Sequence, residues 1–138
     1  MGLVVEDLEK ARAFYRDFLG MEEVPRPSNF KFAGAWLQAG ACHIHMITGA
    51  DTTARCGIEE PGAGKANGLA THWAFEVEDL ASYVAKAGPM GVTIVGGPME
   101  RGQGATQIYL QDPDGYIVEL FEMTGQTEVG KVKEAYSQ

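Results

Sequence analysis

The chain has 138 residues, enough for one domain or two small modules that bury roughly two thirds of their unfolded surface. With 11 Lys plus Arg against 19 Asp plus Glu, its net charge of -8 argues against a nucleic-acid partner, which requires clustered basic residues. Cys42 and Cys56 are too few for a secreted disulfide framework and lack zinc-knuckle spacing, and no apolar run approaches the ~20 residues of a membrane span, so the expectation is a cytoplasmic protein with free thiols and no membrane partner.

Gly2–Val5 is a short apolar run that reads as a strand. The segment that follows has apolar residues at Leu8, Ala11, Tyr15, Phe18 and Leu19, the spacing of one helix face. Asp7 is placed to cap that helix, acidic residues fill its first turn where the dipole favours them, and Gly20 stops it. Met21–Val24, Phe30–Leu37 and Cys42–Thr48 are short, apolar and bounded by Gly or Pro, which predicts three further strands with a loop at Pro25–Asn29. From Gly49 to Gly68 the composition turns to Gly, Ala, Thr and charge, so a long connection is expected there.

The second half repeats the first. Val5-Glu6-Asp7-Leu8 recurs as Val77-Glu78-Asp79-Leu80, each word preceded by an apolar strand and followed by a helix that a Gly-rich stretch ends. Val92–Val95, Thr106–Gln111 and Tyr116–Glu122 then read as three strands. The prediction is a single α+β domain of two βαβββ modules: module one over 1–48, a linker over 49–69, module two over 70–124 and a tail over 125–138.

In the last hairpin, Asp112-Pro113-Asp114-Gly115 has the residues of a tight reversal, with Pro at a corner and Gly supplying a positive φ. Alternation then sets Ile117, Glu119 and Phe121 on one face of the final strand. A carboxylate inside a run as apolar as Tyr-Ile-Val-Glu-Leu-Phe must reach water, a cationic partner or a metal. Laying one module on the other sets Glu119 opposite His45, in the last strand of the first module. His72 opens the second module on the face that avoids Trp73, Phe75 and Val77. All three are expected to face away from the helices, and strands curving into one cup would bring them together as an N2O set suited to Zn, Ni, Fe, Mn or Co. By the same overlay the counterpart of His72 falls one residue ahead of Met1.

The segments VEDLEKARAFYRDFLGMEEV, RPSNFKFAGAWL, IHMI, HWAFEVEDL and QIYLQDPDGYIVEL resemble the vicinal oxygen chelate superfamily, which groups glyoxalase I, methylmalonyl-CoA epimerase, extradiol dioxygenases and the fosfomycin- and bleomycin-resistance proteins. The nearest resemblance is to the glyoxalase-like members. It implies curved mixed sheets enclosing a cup-shaped site, and metal ligands on the first and last strands of each module: His45, His72 and Glu119, with a further His expected just ahead of Met1. The implied activity is a metal-dependent lyase or isomerase of the lactoylglutathione lyase type, acting on a small substrate with adjacent oxygens. The metal would stabilise an enediolate or oxyanion, and Glu119 would act as base, with Glu76 on the same face as a second candidate. Two alternatives remain open: an extradiol-type dioxygenase using a His-His-Glu facial site, and a non-catalytic dimeric drug-binding protein. Arg26 and Lys31 are candidates for an anionic substrate group, and Phe30, Phe32 and Trp36 for the pocket wall. A homodimer is expected both from the superfamily and from exposed sheet edges.

Overall fold

A computed structural model describes residues 1–49, 72–102 and 104–123. The chain divides into two compact units, Met1–Cys56 and Gly57–Gln138. Most of the connection expected over 49–69, Cys56 within it, and the tail from Gly125 lie outside the described residues.

The first unit runs β1 (Gly2–Val5), α1 (Leu8–Arg12), β2 (Glu22–Val24), β3 (Gly34–Ala39) and β4 (Cys42–Thr48). Its sheet has the order β1-β4-β3-β2, with β1 parallel to β4 and the other pairs antiparallel. Asp7 caps α1 by accepting hydrogen bonds from the Glu9 and Lys10 amides. Instead of one regular helix to Leu19, the chain widens into a π-helical turn over Ala13–Phe18, with the Leu19 amide donating to the Phe14 carbonyl at 2.9 Å. That widening lets Phe14 and Tyr15, adjacent in sequence, both bury alongside Ala11 and Phe18. Leu3, Val5, Ala35, Leu37, Ile44 and Met46 supply the sheet side of this core.

The second unit runs β5 (His72–Glu76), α2 (Leu80–Ala87), β6 (Thr93–Gly102), β7 (Ala105–Gln111) and β8 (Ile117–Met123), with sheet order β5-β8-β7-β6. The order and the sense of every pairing match the first unit, so the predicted pair of βαβββ modules is present. Asp79 caps α2 through the Ser82 amide, and Glu122 reaches from β8 to accept from the Leu80 amide at 2.6 Å. The apolar stripe Leu80, Val84 and Ala87 packs with Ile108, Leu110, Val118 and Leu120 buried in the sheet.

Two strands differ from expectation. The strand predicted over Phe30–Leu37 begins only at Gly34, because Arg26 donates to the Phe32 and Gly34 carbonyls at 2.9 Å each and holds the preceding residues as a loop. The strand predicted over Val92–Val95 continues to Gly102, past Gly96-Gly97-Pro98. Pro and Gly read as terminators, but β6 is an edge strand, where a missing donor is tolerated and register shifts absorb the irregularity. Gly97 is obligatory there: its φ is +85°, and a Cβ would stand 2.6 Å from the Gln107 carbonyl oxygen.

Candidate functional site

The hairpin between β7 and β8 sets the register of the second unit's site. Asp112, buried, accepts from the Asp114 and Tyr116 amides at 2.9 and 2.8 Å, and Gly115 takes the φ of +93° expected of it. This pairs Gln107 with Phe121, Tyr109 with Glu119 and Gln111 with Ile117. On the other side of β8, Ala74 stands across from Glu119 and His72 from Ile117. His72, Glu119, Tyr109 and Gln107 therefore share the face turned away from the α2 side of the sheet.

Glu119 is 4 % exposed. Its Oε2 lies 3.1 Å from His72 Nε2, and its Oε1 accepts from Arg101 Nη1 at 2.9 Å. The anomaly in the sequence is thus resolved by a cationic partner and an imidazole. Tyr109 lies beside them, its ring edge-on to His72 at 5.4 Å, its hydroxyl accepting from Gln107 Nε2 at 3.0 Å. Burial pushes the Tyr109 phenol up, and the neighbouring Glu119 charge pushes it further, so the hydroxyl stays protonated and available as a donor. The Gln107 side-chain Oε1 is buried without a hydrogen-bond partner among the described residues.

In the first unit, His45 stands across from Gly2 on β1 and from Trp36 on β3. Glu119 stands across from Ala74 and Tyr109 in the same way, so the overlay of His45 on Glu119 holds strand by strand. His45 stacks on Trp36 with ring centroids 3.9 Å apart and planes within 4°. Burial, then the N-terminal amino group, then His43 push the His45 imidazole below its ordinary value and favour the neutral form, in which a ring nitrogen keeps its lone pair. Phe30 and Phe32, both exposed, extend the aromatic group, with Phe30 5.7 Å from Trp36. Arg26 makes two backbone hydrogen bonds and lies over the Phe30 and Phe32 rings, and Lys31 donates to the Ser28 carbonyl.

Of the three ligand candidates, the second unit brings His72 and Glu119 together, while His45 belongs to the first unit. Among the described residues no cluster of three or more His, Cys, Asp or Glu side chains forms a ready metal site. The pair still fits a metal: two cis ligands held about 2.1 Å from one ion stand roughly 3.0–3.4 Å apart, and the His72–Glu119 separation is 3.1 Å. Sequence reasoning missed Arg101, Tyr109 and Gln107. Tyr109 and Gln107 were within reach, since extending the register from the turn to β7 places both on the Glu119 face. Arg101 was not, because Gly96-Gly97-Pro98 hides the strand that carries it.

A pair of βαβββ units with matching sheet orders and polar residues on the helix-averted faces defines a glyoxalase-type protein. Residues 1–120 match the Glyoxalase/Bleomycin resistance protein/Dioxygenase superfamily, and the chain belongs to it. Among its relatives is the lactoylglutathione lyase of Salmonella typhimurium, 31 % identical over 124 residues, which span 87 % of each chain. The Glyoxylase I 4 of Arabidopsis thaliana is 25 % identical over 121 residues, covering 87 % of this chain and 67 % of the relative. Among solved structures, an integron cassette protein from the mobile metagenome of V. cholerae is 26 % identical with a TM-score of 0.64, covering 89 % of this chain and 91 % of its own. A genomically encoded fosfomycin resistance protein from Listeria monocytogenes shares the fold, with a TM-score of 0.66 at 22 % identity over 94 % of this chain and 93 % of its own. No helix among the described residues is long and apolar enough to cross a membrane.

Proposed function

We propose that this protein is a metal-dependent lyase or isomerase of the lactoylglutathione lyase kind, acting on a small substrate with adjacent oxygens. The observation that supports it most is the approach of His72 Nε2 to Glu119 Oε2 at 3.1 Å on the helix-averted face, at a register position matched by His45 in the first unit. His72 and Glu119 of the second unit and, by the same register, His45 of the first are the candidate ligands of the metal, one of Zn, Ni, Fe, Mn or Co, and offer the nitrogen and oxygen donors such ions accept. When bound, the metal supplies a Lewis acid that polarises a carbonyl and acidifies the neighbouring C–H. Glu119 is the group that takes the proton, Tyr109 offers a protonated hydroxyl next to it, and burial keeps bulk water from competing for that proton. Phe30 and Trp36 contribute aromatic wall, and Arg26 stiffens the loop that carries Phe30. The edge strands of the two sheets, which pair with no further strand among the described residues, support a homodimer.

Elemental analysis of freshly purified protein, with lactoylglutathione turnover assayed before and after EDTA, tests the reading. We expect about one transition metal per site, activity lost to the chelator, and at least a tenfold drop in bound metal in His45→Ala and Glu119→Ala. Wild-type stoichiometry in both variants would remove these residues from the site. A second reading, a metal-free binder of small molecules, draws on the Arg101–Glu119 ion pair, which satisfies the carboxylate without a metal. Ligand binding that EDTA leaves unchanged would favour it.

A further inference from the structure

Glu119 has two partners of different kinds. His72 offers a ring nitrogen that can ligate a metal, whereas the Arg101 guanidinium is a cation with no lone pair to give. The two sides of the ion pair are also unequally placed. The Glu119 side chain is 6 % exposed and that of Arg101 38 %, so the carboxylate cannot be left without a positive partner while the guanidinium can turn toward water. Arg101 is held in position by more than the carboxylate. Its Cζ stands 4.3 Å from the centre of the Phe121 ring, and it occupies the irregular stretch of β6 between Glu100 and Gly102, where the register against β7 shifts.

We propose that Arg101 is an internal counter-ion which competes with a divalent metal for the charge of Glu119, so that it sets the metal affinity of the His72–Glu119 pair. This rests on the metal reading above. A guanidinium 2.9 Å from one carboxylate oxygen neutralises much of the charge that would attract a metal, and it repels any dication arriving at the other oxygen. The same pairing lets a buried carboxylate stay charge-balanced in the metal-free protein. A metal binding at Oε2 then meets a carboxylate whose charge is already partly neutralised at Oε1.

The test uses the full chain, stripped with EDTA and titrated with Zn²⁺ and with Mn²⁺ against a competing chromophoric chelator, in the wild type, Arg101→Gln, Phe121→Leu and Glu119→Gln. Arg101→Gln removes the competing charge and should bind metal at least about tenfold more tightly. Phe121→Leu keeps the charge and loosens its hold, and should tighten binding about threefold, the scale of one exposed cation–π contact. Glu119→Gln should lose binding. Unchanged or weaker affinity in a folded Arg101→Gln protein, with wild-type binding intact, would overturn the role of Arg101 and leave the metal reading standing. If Arg101→Gln does not fold, the absence of a gain in Phe121→Leu overturns it. Failure of the wild type, Arg101→Gln and Phe121→Leu alike to bind either ion would sink both.

Discussion

The Arg101–Glu119 pair predicts an asymmetry in stability. Arg101→Met leaves a carboxylate that is 6 % exposed without its cation, whereas Glu119→Gln leaves a guanidinium that is 38 % exposed and free to hydrate. Removing one partner of a fully buried pair costs about 3–5 kcal/mol. Exposure of the arginine screens the interaction and lowers that figure, so we expect about 2–3 kcal/mol for Arg101→Met. The Glu119→Gln amide keeps the shape of the carboxyl and retains an oxygen that can accept from Arg101, so its cost is that of weakened hydrogen bonds, about 1 kcal/mol. The assay is urea unfolding of EDTA-treated protein, followed by circular dichroism. With m about 1–3 kcal/mol/M, the difference of about 1–2 kcal/mol displaces the two midpoints from each other by about 0.3–2 M. A Glu119→Gln midpoint that falls as far as that of Arg101→Met would refute the assignment of the carboxylate as the buried, dependent partner.

Gly97→Ala introduces a side chain at a φ of +85° and puts its Cβ 2.6 Å from the Gln107 carbonyl oxygen, so it should destabilise the second unit by about 2–4 kcal/mol, read as a lower melting temperature; an unchanged melt would contradict the bulged path of β6. In the first unit, hydrogen bonding to Arg12 holds the Glu23 carboxyl below its usual range, with smaller help from Arg16. Its folded value is thus depressed, so its contribution is present above the unfolded value and lost as pH falls through the folded one. Glu23→Gln should therefore remove up to about 1 kcal/mol at pH 7 and none at pH 2, since the carboxylate is 31 % exposed and screened. Trp36→Leu removes the ring stacked on His45 at 3.9 Å, so the His45 proton resonances should move downfield in the NMR spectrum; no shift would mean the stack does not persist in solution.

The duplicated frame was legible because it rests on signals that survive in a single sequence. Asp7 and Asp79 mark helix starts, Gly20 and the Asp112–Gly115 turn mark stops, and the parity of Glu119 within its strand follows once that turn is placed. Glu119 stood out because a charge in an apolar run demands a partner, and it has two. The partners themselves were only half legible. His72 lies on the neighbouring parallel strand, and the repeat brought it into view. Arg101 lies two strands away, behind Gly96-Gly97-Pro98, which by local chemistry should end a strand. An edge position and shifted pairing override that local preference, and neither can be read before the sheet order is known. Phe30 was expected in a strand for a related reason: Arg26, four residues upstream, withdraws backbone carbonyls from the ladder through a side chain that periodicity does not register.

The two units place different chemistry on the same register. Position for position, Trp36 beside His45 in the first unit corresponds to Tyr109 beside Glu119 in the second. The first combination is uncharged when the imidazole is neutral, and its geometry is held by ring stacking. The second is ionic, and its geometry is held by a charge pair. Symmetry of the frame therefore does not make the two positions equivalent in response: a divalent cation would meet no competing charge at the stacked indole but would compete with a guanidinium at Glu119. On the proposal above, control over the site would lie in the second unit, on a residue at an irregular point of the sheet edge where the register against β7 shifts.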